Sequence, residues 1–468
     1  MKTPCKQLII AALSLSVMLT GSIQASAKND SAKETKLVIK KSENASRHNP
    51  HNLMYPVLKK VHKPEDAGFS SSKLKEVDSL IKNEIDNGFP GAVLLVIKDG
   101  KIVKNTAYGY AKKYDRGTLL KHPKKMKTTT MFDLASNTKM YSVNFALQHL
   151  VSQGKIDLNQ TVSHYIPQFR DSAEDKIKGK DTLRLIDILH HTAGFPPSVE
   201  YYNPKLAGDL YTTDRSKVLQ MISRTPLDYQ PGTKNIYSDL DYMLLGFIIE
   251  KVTGKRLDQY AEEKLYKPLG LKHTLFNPLQ KGFKPEDFAA TELNGNTRDG
   301  AIYFPGIRTY TLQGEVHDEK AFYSMGGVSG HAGLFSTTGD LAVLLQVILN
   351  DGGYGNVRLF DKQTIDQFLA PSDMNPTYGL GWRRNGNSSM HWMFSPYASE
   401  NAVGHTGWTG TLTVIDREKN LGIVLLTNKK HSPVADPQKD PNKFLGDTYG
   451  ISQYGNVVSA VYQALKVN

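Results

Sequence analysis

Apolar residues fall at Leu74, Val77, Leu80, Ile81 and Ile85 of SSKLKEVDSLIKNEIDNG, the three-and-four spacing of one helix face, and Gly88 closes the run. GAVLLVIKDGKIVKNTAYGY then changes period. Two apolar runs flank Asp99–Gly100, which predicts a β-hairpin. A second hairpin is predicted over Thr411–Asn428 (TLTVIDREKNLGIVLLTN), turning at REKN, and the closing YGNVVSAVYQALK reads as a helix. Between these ends, MYSVNFALQHLVSQG, LDYMLLGFIIEKVTG and TTGDLAVLLQVILNDGG all show helical periodicity and run into glycine. Strands at both ends with helices between predict an α+β fold: a sheet built from both termini, carrying an inserted helical region. No internal repeat is visible.

The first 27 residues follow a different pattern. Lys2 and Lys6 precede a short apolar run, Leu8–Gly21, and Ala25–Ala27 has the small-x-small form of a cleavage site. This predicts a secretory signal peptide over 1–27. A retained membrane anchor is the alternative, against which the run is short for a bilayer span. No later segment is long and apolar enough to span, so no membrane span is expected after cleavage. Residues 28–58 are polar and lysine-rich and read as a flexible spacer. The domain is expected over 59–468, with a helical subdomain at roughly 141–320.

Cys5, the one cysteine of the 468 residues, sits in the signal, ahead of the apolar run. The mature chain is therefore expected to hold no disulfide, no thiol nucleophile and no lipidation site. A formal charge of +12 suits solubility and attraction to anionic polymer, which for an exported protein means cell wall or membrane surface. No nucleic-acid module is recognisable. The sequence also lacks H-E-x-x-H, a cysteine–histidine metal set, a Walker A loop and a G-x-S-x-G elbow, so no metal or cofactor is expected.

Chemistry gathers at FDLASNTKMYSVNFALQHLV, where Ser136 stands three residues before Lys139 at a predicted helix start. Ser-x-x-Lys alone is weak: Ser70…Lys73 and Ser72…Lys75 match it too, and read as a cap with a solvated lysine. At Ser136 the context differs. The preceding MFDLA is apolar, and residues three apart share a helix face. A buried helix start also points unpaired N–H groups at the serine. Two further segments complete a constellation: Tyr237-Ser238-Asp239 ahead of a helix, and His405-Thr406-Gly407 at a strand.

With these three motifs in this order, the sequence resembles the class C β-lactamase and penicillin-binding protein superfamily, whose signatures are Ser-x-x-Lys, Tyr-x-Asn and Lys-Thr-Gly. LHHTAGFP, PGTKNIYS and GHAGLFSTTGDLA match the family's style, and the resemblance covers about residues 60–430. It implies a β-lactamase/transpeptidase-like antiparallel sheet flanked by helices, with the site between sheet and helical subdomain. It implies Ser136 as the nucleophile that forms an acyl-enzyme, and Lys139 and Tyr237 sharing acid and base work, with the choice between them open. It implies an oxyanion hole from the N–H groups of Ser136 and Trp408.

Two positions depart from the pattern: Asp239 replaces asparagine and His405 replaces lysine. A histidine there is mostly neutral near pH 7 and keeps one hydrogen bond to donate, which weakens selection for a substrate carboxylate beside the scissile bond. Asp239 is expected to hold Lys139 protonated or to meet a substrate amide or amine; the bland alternative is a helix cap. Trp408 reads as a sugar platform or a packed rim residue, and His331 as a structural histidine or a substrate contact. His317 and Asp318 of GEVHDEKA are weaker candidates, and His190 and His191 read as structural.

The resemblance is closest to exported MurNAc-L-alanine amidases of this fold and to penicillin-binding protein 4B. The expected function is an exported, secreted or wall-associated serine hydrolase acting on peptidoglycan fragments, with MurNAc–L-alanine amide hydrolysis first. D-alanyl-D-alanine carboxypeptidase, broad esterase and non-catalytic wall binder are the alternatives. The sequence leaves oligomeric state open.

Overall fold

The computed structural model describes residues 54–466. The predicted signal and most of the spacer lie outside the described residues. Tyr55 and Leu58, read above as spacer, already dock on the domain: the Tyr55 N–H donates to Gly355 O at 2.9 Å and the Leu58 N–H to the Tyr354 hydroxyl at 3.0 Å.

The main sheet has eight strands. They are β1 (Lys59–Lys60), β2 (Gly91–Lys98), β3 (Lys101–Asp115), β4 (Thr118–Lys125), β5 (Arg383–Arg384), β6 (Val403–Gly407), β7 (Thr411–Asp416) and β8 (Leu421–Thr427). Their order is β1-β3-β2-β8-β7-β6-β5, with β4 pairing β3. Both expected hairpins are present, β2–β3 around Asp99–Gly100 and β7–β8 around REKN. They join through the antiparallel β2–β8 pair, from Leu421↔Lys98 to Thr427↔Ala92. That pair closes one sheet from the two ends of the chain.

Side chains alternate across a strand, so β2 feeds two cores. Ala92, Leu94 and Val96 meet α1 (Ser71–Asp86) and the C-terminal helix Gly455–Gln463 through Val77, Ile81, Val457 and Val461. Val93, Leu95 and Ile97 face the larger core with α2 (Lys139–Ser152), α3 (Asp239–Thr253) and α4 (Thr338–Leu349). Burial on both faces explains why this strand reads as an unbroken apolar run. At about 25 cal/mol per Å² of apolar area removed from water, these two cores supply the main stabilisation. Among the described residues, no helix is long and apolar enough to cross a membrane.

A three-stranded patch was not anticipated: Phe132–Asp133, Leu275–Phe276 and Leu334–Ser336, with Asp133 and Leu275 both opposite Phe335. Strands of two or three residues are too short to show a period of two. This patch leads directly into Ser136.

Candidate active site

The loop ahead of Ser136 is fixed from below. Ala135 has φ +46°, an uncommon conformation for a residue with a Cβ. Buried Asp133 holds it there: one carboxylate oxygen accepts the Ala135 N–H at 2.8 Å and the other the His317 N–H at 2.6 Å. Burial raises the Asp133 pKa, and these two N–H bonds pull the other way. From above, Thr409 and Thr411 hydroxyls donate to Asp133 O (2.7 Å) and Leu134 O (2.9 Å), and buried Asn137 bonds Thr411 and Thr413. The strand ending in Gly407 thus presses onto the loop, and a Cβ at Gly407 would stand 2.3 Å from Leu134 O. Among the described residues, neither the Ser136 nor the Trp408 N–H has a protein acceptor. Donors left open beside a nucleophile suit a developing oxyanion.

The helix after Ser136 begins with a π-helical stretch, Lys139–Asn144, before becoming α-helical at Phe145. Lys139 is fully buried, and its three protons have three acceptors: Ser136 Oγ at 3.0 Å, Asp239 Oδ1 at 2.8 Å and His331 O at 3.1 Å. Burial drives its pKa down, but Asp239 and then Tyr237 outweigh it, and the net shift is upward. Lys139 is an ammonium in this arrangement.

Asp239 is not a cap. Ser238 caps α3, accepting the Leu240 N–H at 3.2 Å, which frees Asp239 at the next position to turn inward. Its second oxygen lies 3.3 Å from Lys320 Nζ, and Lys320 is 3.5 Å from Asp318. Burial would raise the Asp239 pKa, but Lys139 and Lys320 hold it far below the carboxylate range. Asp318, ionised, also accepts from His331 Nε2–H at 2.8 Å, while His331 Nδ1 meets Ser329 at 2.7 Å. His331 is therefore buried behind the site and touches Lys139 only through its carbonyl. Asp239, Asp318 and His331 put ligand atoms within 4.8 Å of one another, a spacing that a metal would accept. Two ammonium groups, Lys139 and Lys320, already neutralise those carboxylates, so the set does not fit a cation. His317 is buried against Glu292 at 2.6 Å, and Asp318 lines the cleft.

Tyr237 stands over this network, its ring centroid 4.8 Å from Lys139 Nζ. Beneath it lies His191, centroids 4.7 Å apart at 41°. His191 Nδ1 is 2.7 Å from Asp241 Oδ2, and both side chains are buried. Burial pushes His191 well below and Asp241 well above their usual values, so the pair is neutral. Sequence reasoning set His191 aside as structural; the structure places it directly under Tyr237.

His405 is 3% exposed. Its Nδ1 is 2.7 Å from Thr406 O, a contact that needs the proton on Nδ1. The one N–H is therefore spent on backbone, and Nε2 is an acceptor without a partner among the described residues. This corrects the expectation that His405 donates to substrate. Burial, then Arg383 and Lys139, lower its pKa to about 3, so it is uncharged. The missing cation is supplied one strand away. Arg383, paired opposite Gly404, stacks its guanidinium 4.1 Å from the Tyr378 centroid and 5.7 Å from that of Tyr237. The sequence gives no periodic or motif signal at Arg383 or Lys320.

Two cavities meet at Ser136, Tyr237, Trp408 and Asn442. One, about 490 Å³, runs past Asp239, Lys320, Glu200 and Tyr202. The other, about 450 Å³, runs past Thr406, His405 and Arg383 to Trp392 and Lys443. Trp408 is 41% exposed at their junction, one face covered by Lys430 at 3.9 Å.

A serine and a buried lysine on one helix start, a facing tyrosine and open N–H groups on Ser136 and on Trp408 after β6 define a β-lactamase-type serine hydrolase. The chain belongs to the Beta-lactamase family, whose model matches residues 77–448, and it is an enzyme of that family. It is 62% identical over 415 residues, 89% of this chain and 93% of the relative, to a Bacillus subtilis (strain 168) protein named N-acetylmuramyl-L-alanine amidase. It is 60% identical over 412 residues, 88% of this chain and 95% of the relative, to a Salmonella typhi protein named as a candidate D-alanyl-D-alanine carboxypeptidase. Among solved structures, EstCE1, a hydrolase with promiscuous acyltransferase activity, matches with a TM-score of 0.60 at 20% identity, over 84% of this chain and 98% of that one. That likeness bears on the fold.

Proposed function

We propose that this enzyme is an exported serine amidase that cuts the amide between the lactyl carbonyl of N-acetylmuramic acid and the L-alanine of a stem peptide. The observation that carries this reading is the placement of Ser136 where two cavities of about 490 and 450 Å³ meet. Room on both sides suits an amide in the middle of a substrate, with a sugar on one side and a peptide on the other. The 62% identity to the Bacillus subtilis amidase supports the same bond.

In the proposed mechanism Ser136 Oγ attacks the lactyl carbonyl and the oxyanion takes the N–H groups of Ser136 and Trp408. Lys139 keeps its charge and has all three protons engaged, which leaves Tyr237 as the relay: its oxygen accepts the serine proton while its own hydroxyl proton passes to the L-alanine nitrogen. The C–N bond breaks with that nitrogen protonated, and an ester of Ser136 remains. Water then attacks the ester, its proton passes through Tyr237 to Ser136, and free muramic acid departs. The site is proposed to work on the wall side of the membrane, in line with the N-terminal signal pattern.

Arg383 beside His405 favours a second reading, removal of a terminal D-alanine, because a guanidinium can hold the terminal carboxylate. One experiment separates the two. The mature protein and Ser136→Ala are incubated with a MurNAc-tripeptide and a D-Ala-D-Ala-ended muropeptide, and products are read by mass. Free MurNAc with intact peptide, lost in the variant, is expected. Release of a single D-alanine overturns the amidase reading and establishes the carboxypeptidase.

A further inference from the structure

The two arms of the cleft differ in charge balance. In the arm of Asp239 and Glu200, every cation is already matched: Lys320 by Asp239 and Asp318, Arg298 by Glu292 and Glu319. Glu200 there accepts the Ser198 hydroxyl at 2.8 Å and meets no cation among the described residues. This arm is mixed, with Tyr202 and Asn203 adding donors and acceptors beside apolar Leu206 and Ile302, and it has no unmatched positive charge to offer.

The other arm is the reverse. Four basic side chains, Arg383, Lys429, Lys430 and Lys443, line it against one carboxylate, Asp447. Asp447 is shared, 3.1 Å from Lys429 and 2.6 Å from Lys430. Among the described residues, no carboxylate lies within ion-pair distance of Arg383 or Lys443. Arg383 is held in place by stacking on Tyr378 rather than by an anion, so its N–H groups remain available. Trp392, 43% exposed, forms the outer wall.

The two halves of a muramyl peptide differ in the same sense. The muramyl half has no charge once its carboxyl is in the scissile amide, whereas the stem peptide carries free carboxylates. We infer that the arm from Ser136 past Arg383 to Lys443 binds the acidic peptide leaving group, with Arg383 as its carboxylate anchor, and that the opposite arm takes the sugar. This rests on the amidase reading and fixes the direction in which the substrate lies.

The test compares two muramyl dipeptides that differ in one group, a free carboxylate or its amide on the second peptide residue, with the mature wild type, Arg383→Gln and Arg383→Lys. The wild type is expected to prefer the carboxylate in kcat/KM by about 10- to 100-fold, the range for a hydrogen bond to a charged group. Arg383→Gln brings the pair near parity, and Arg383→Lys restores part of the preference. Added salt raises KM for the acidic substrate. An indifferent wild type, or a preference that survives in Arg383→Gln, overturns the assignment. If the wild type cleaves neither substrate, the amidase reading fails separately, and calorimetric titration of the free acidic peptide into Ser136→Ala decides the arm. Salt-sensitive binding that Arg383→Gln removes upholds it, and absence of binding overturns it.

Discussion

Replacing Asp239 by asparagine removes one charge from the centre of the network while keeping the shape of the side chain. At an effective dielectric of about 20, a charge pair at the Lys139–Asp239 spacing of 2.8 Å is worth about 6 kcal/mol gross, and the Lys320–Asp239 pair at 3.3 Å about 5 kcal/mol. Desolvation of the three groups offsets most of this. Truncating one partner of a buried pair has a net effect of about 3–5 kcal/mol. Asparagine still accepts from Lys139, which places Asp239→Asn near about 3 kcal/mol. The sign follows from the depressed pKa of Asp239: its contribution is complete above the ordinary carboxylate value of 3.8 and is lost as pH falls through the folded value. Denaturant melts of wild type and variant should differ by about 3 kcal/mol from pH 5 to 8. The gap should shrink by about 1 kcal/mol between pH 3.8 and 2.8. Catalysis supplies a second readout. Without Asp239, burial dominates Lys139 and moves its pKa down, so the ammonium of the proposed mechanism is lost as pH rises and the variant's kcat/KM should acquire a limb that falls with rising pH. Equal stability at pH 7, or a gap that stays constant into acid, would refute the reasoning.

His405 titrates at about 3 when folded, so it stays neutral while the unfolded histidine protonates below 6.5, and stability falls as pH drops. This contributes about 2 kcal/mol of the loss between pH 7 and 5, and His405→Gln should lessen the acid sensitivity of the melt by that amount. Gly407→Ala places a Cβ 2.3 Å from Leu134 O and must push the nucleophile loop away. It should reduce kcat by about 10²-fold or more with a folded circular dichroism spectrum, since one misplaced oxyanion donor has that effect. His191→Ala removes the ring under Tyr237 and should lower kcat more than it raises KM, by about tenfold, with Tyr237→Phe no longer additive to it in a double-mutant cycle.

The sheet was legible because its strands announce themselves twice, in composition and in turns. Residues 92–97 are apolar throughout, as burial on both faces requires, and Asp99–Gly100 marks the hairpin. The long helices were legible from their period and from caps such as Gly254, which sits at φ +67° after α3. The two- and three-residue strands around Ser136 had no such signal, nor did the π-helical turn, which depends on what packs around it. In the site, the three motifs located the groups that the structure brings together, but their surroundings were out of reach. Lys320 lies in a run with three acidic residues, where a lysine reads as solvated; its burial depends on Asp239, far away in the chain. His191 was one of an adjacent pair that no motif distinguished. The tautomer of His405 is set by a carbonyl of its own neighbour, which only coordinates reveal.

The two departures from the family pattern make sense together rather than singly. Asparagine-to-aspartate at 239 adds an anion beside Lys139, and lysine-to-histidine at 405 removes a cation from β6. Taken alone, each would leave the site with an unbalanced buried charge or without its anion anchor. The structure supplies a compensating group for each. Lys320 reaches Asp239 from the start of the helical turn Lys320–Ser324, so the added carboxylate serves two ammonium groups and neither lysine is left unpaired. Arg383 enters from β5 beside neutral His405, moving the positive charge from the strand that carries the oxyanion donor into the cavity next to it. A cation on the third motif can grip only a carboxylate close to the scissile bond. One carried by Arg383, held on the Tyr378 ring, lines the cavity beside His405, where the proposed binding mode puts a carboxylate that comes later in the leaving group. Under the proposed amidase reading, the loss of the lysine moves the point of recognition outward along the peptide, which is the change needed to cut an amide inside a muramyl peptide rather than at its end.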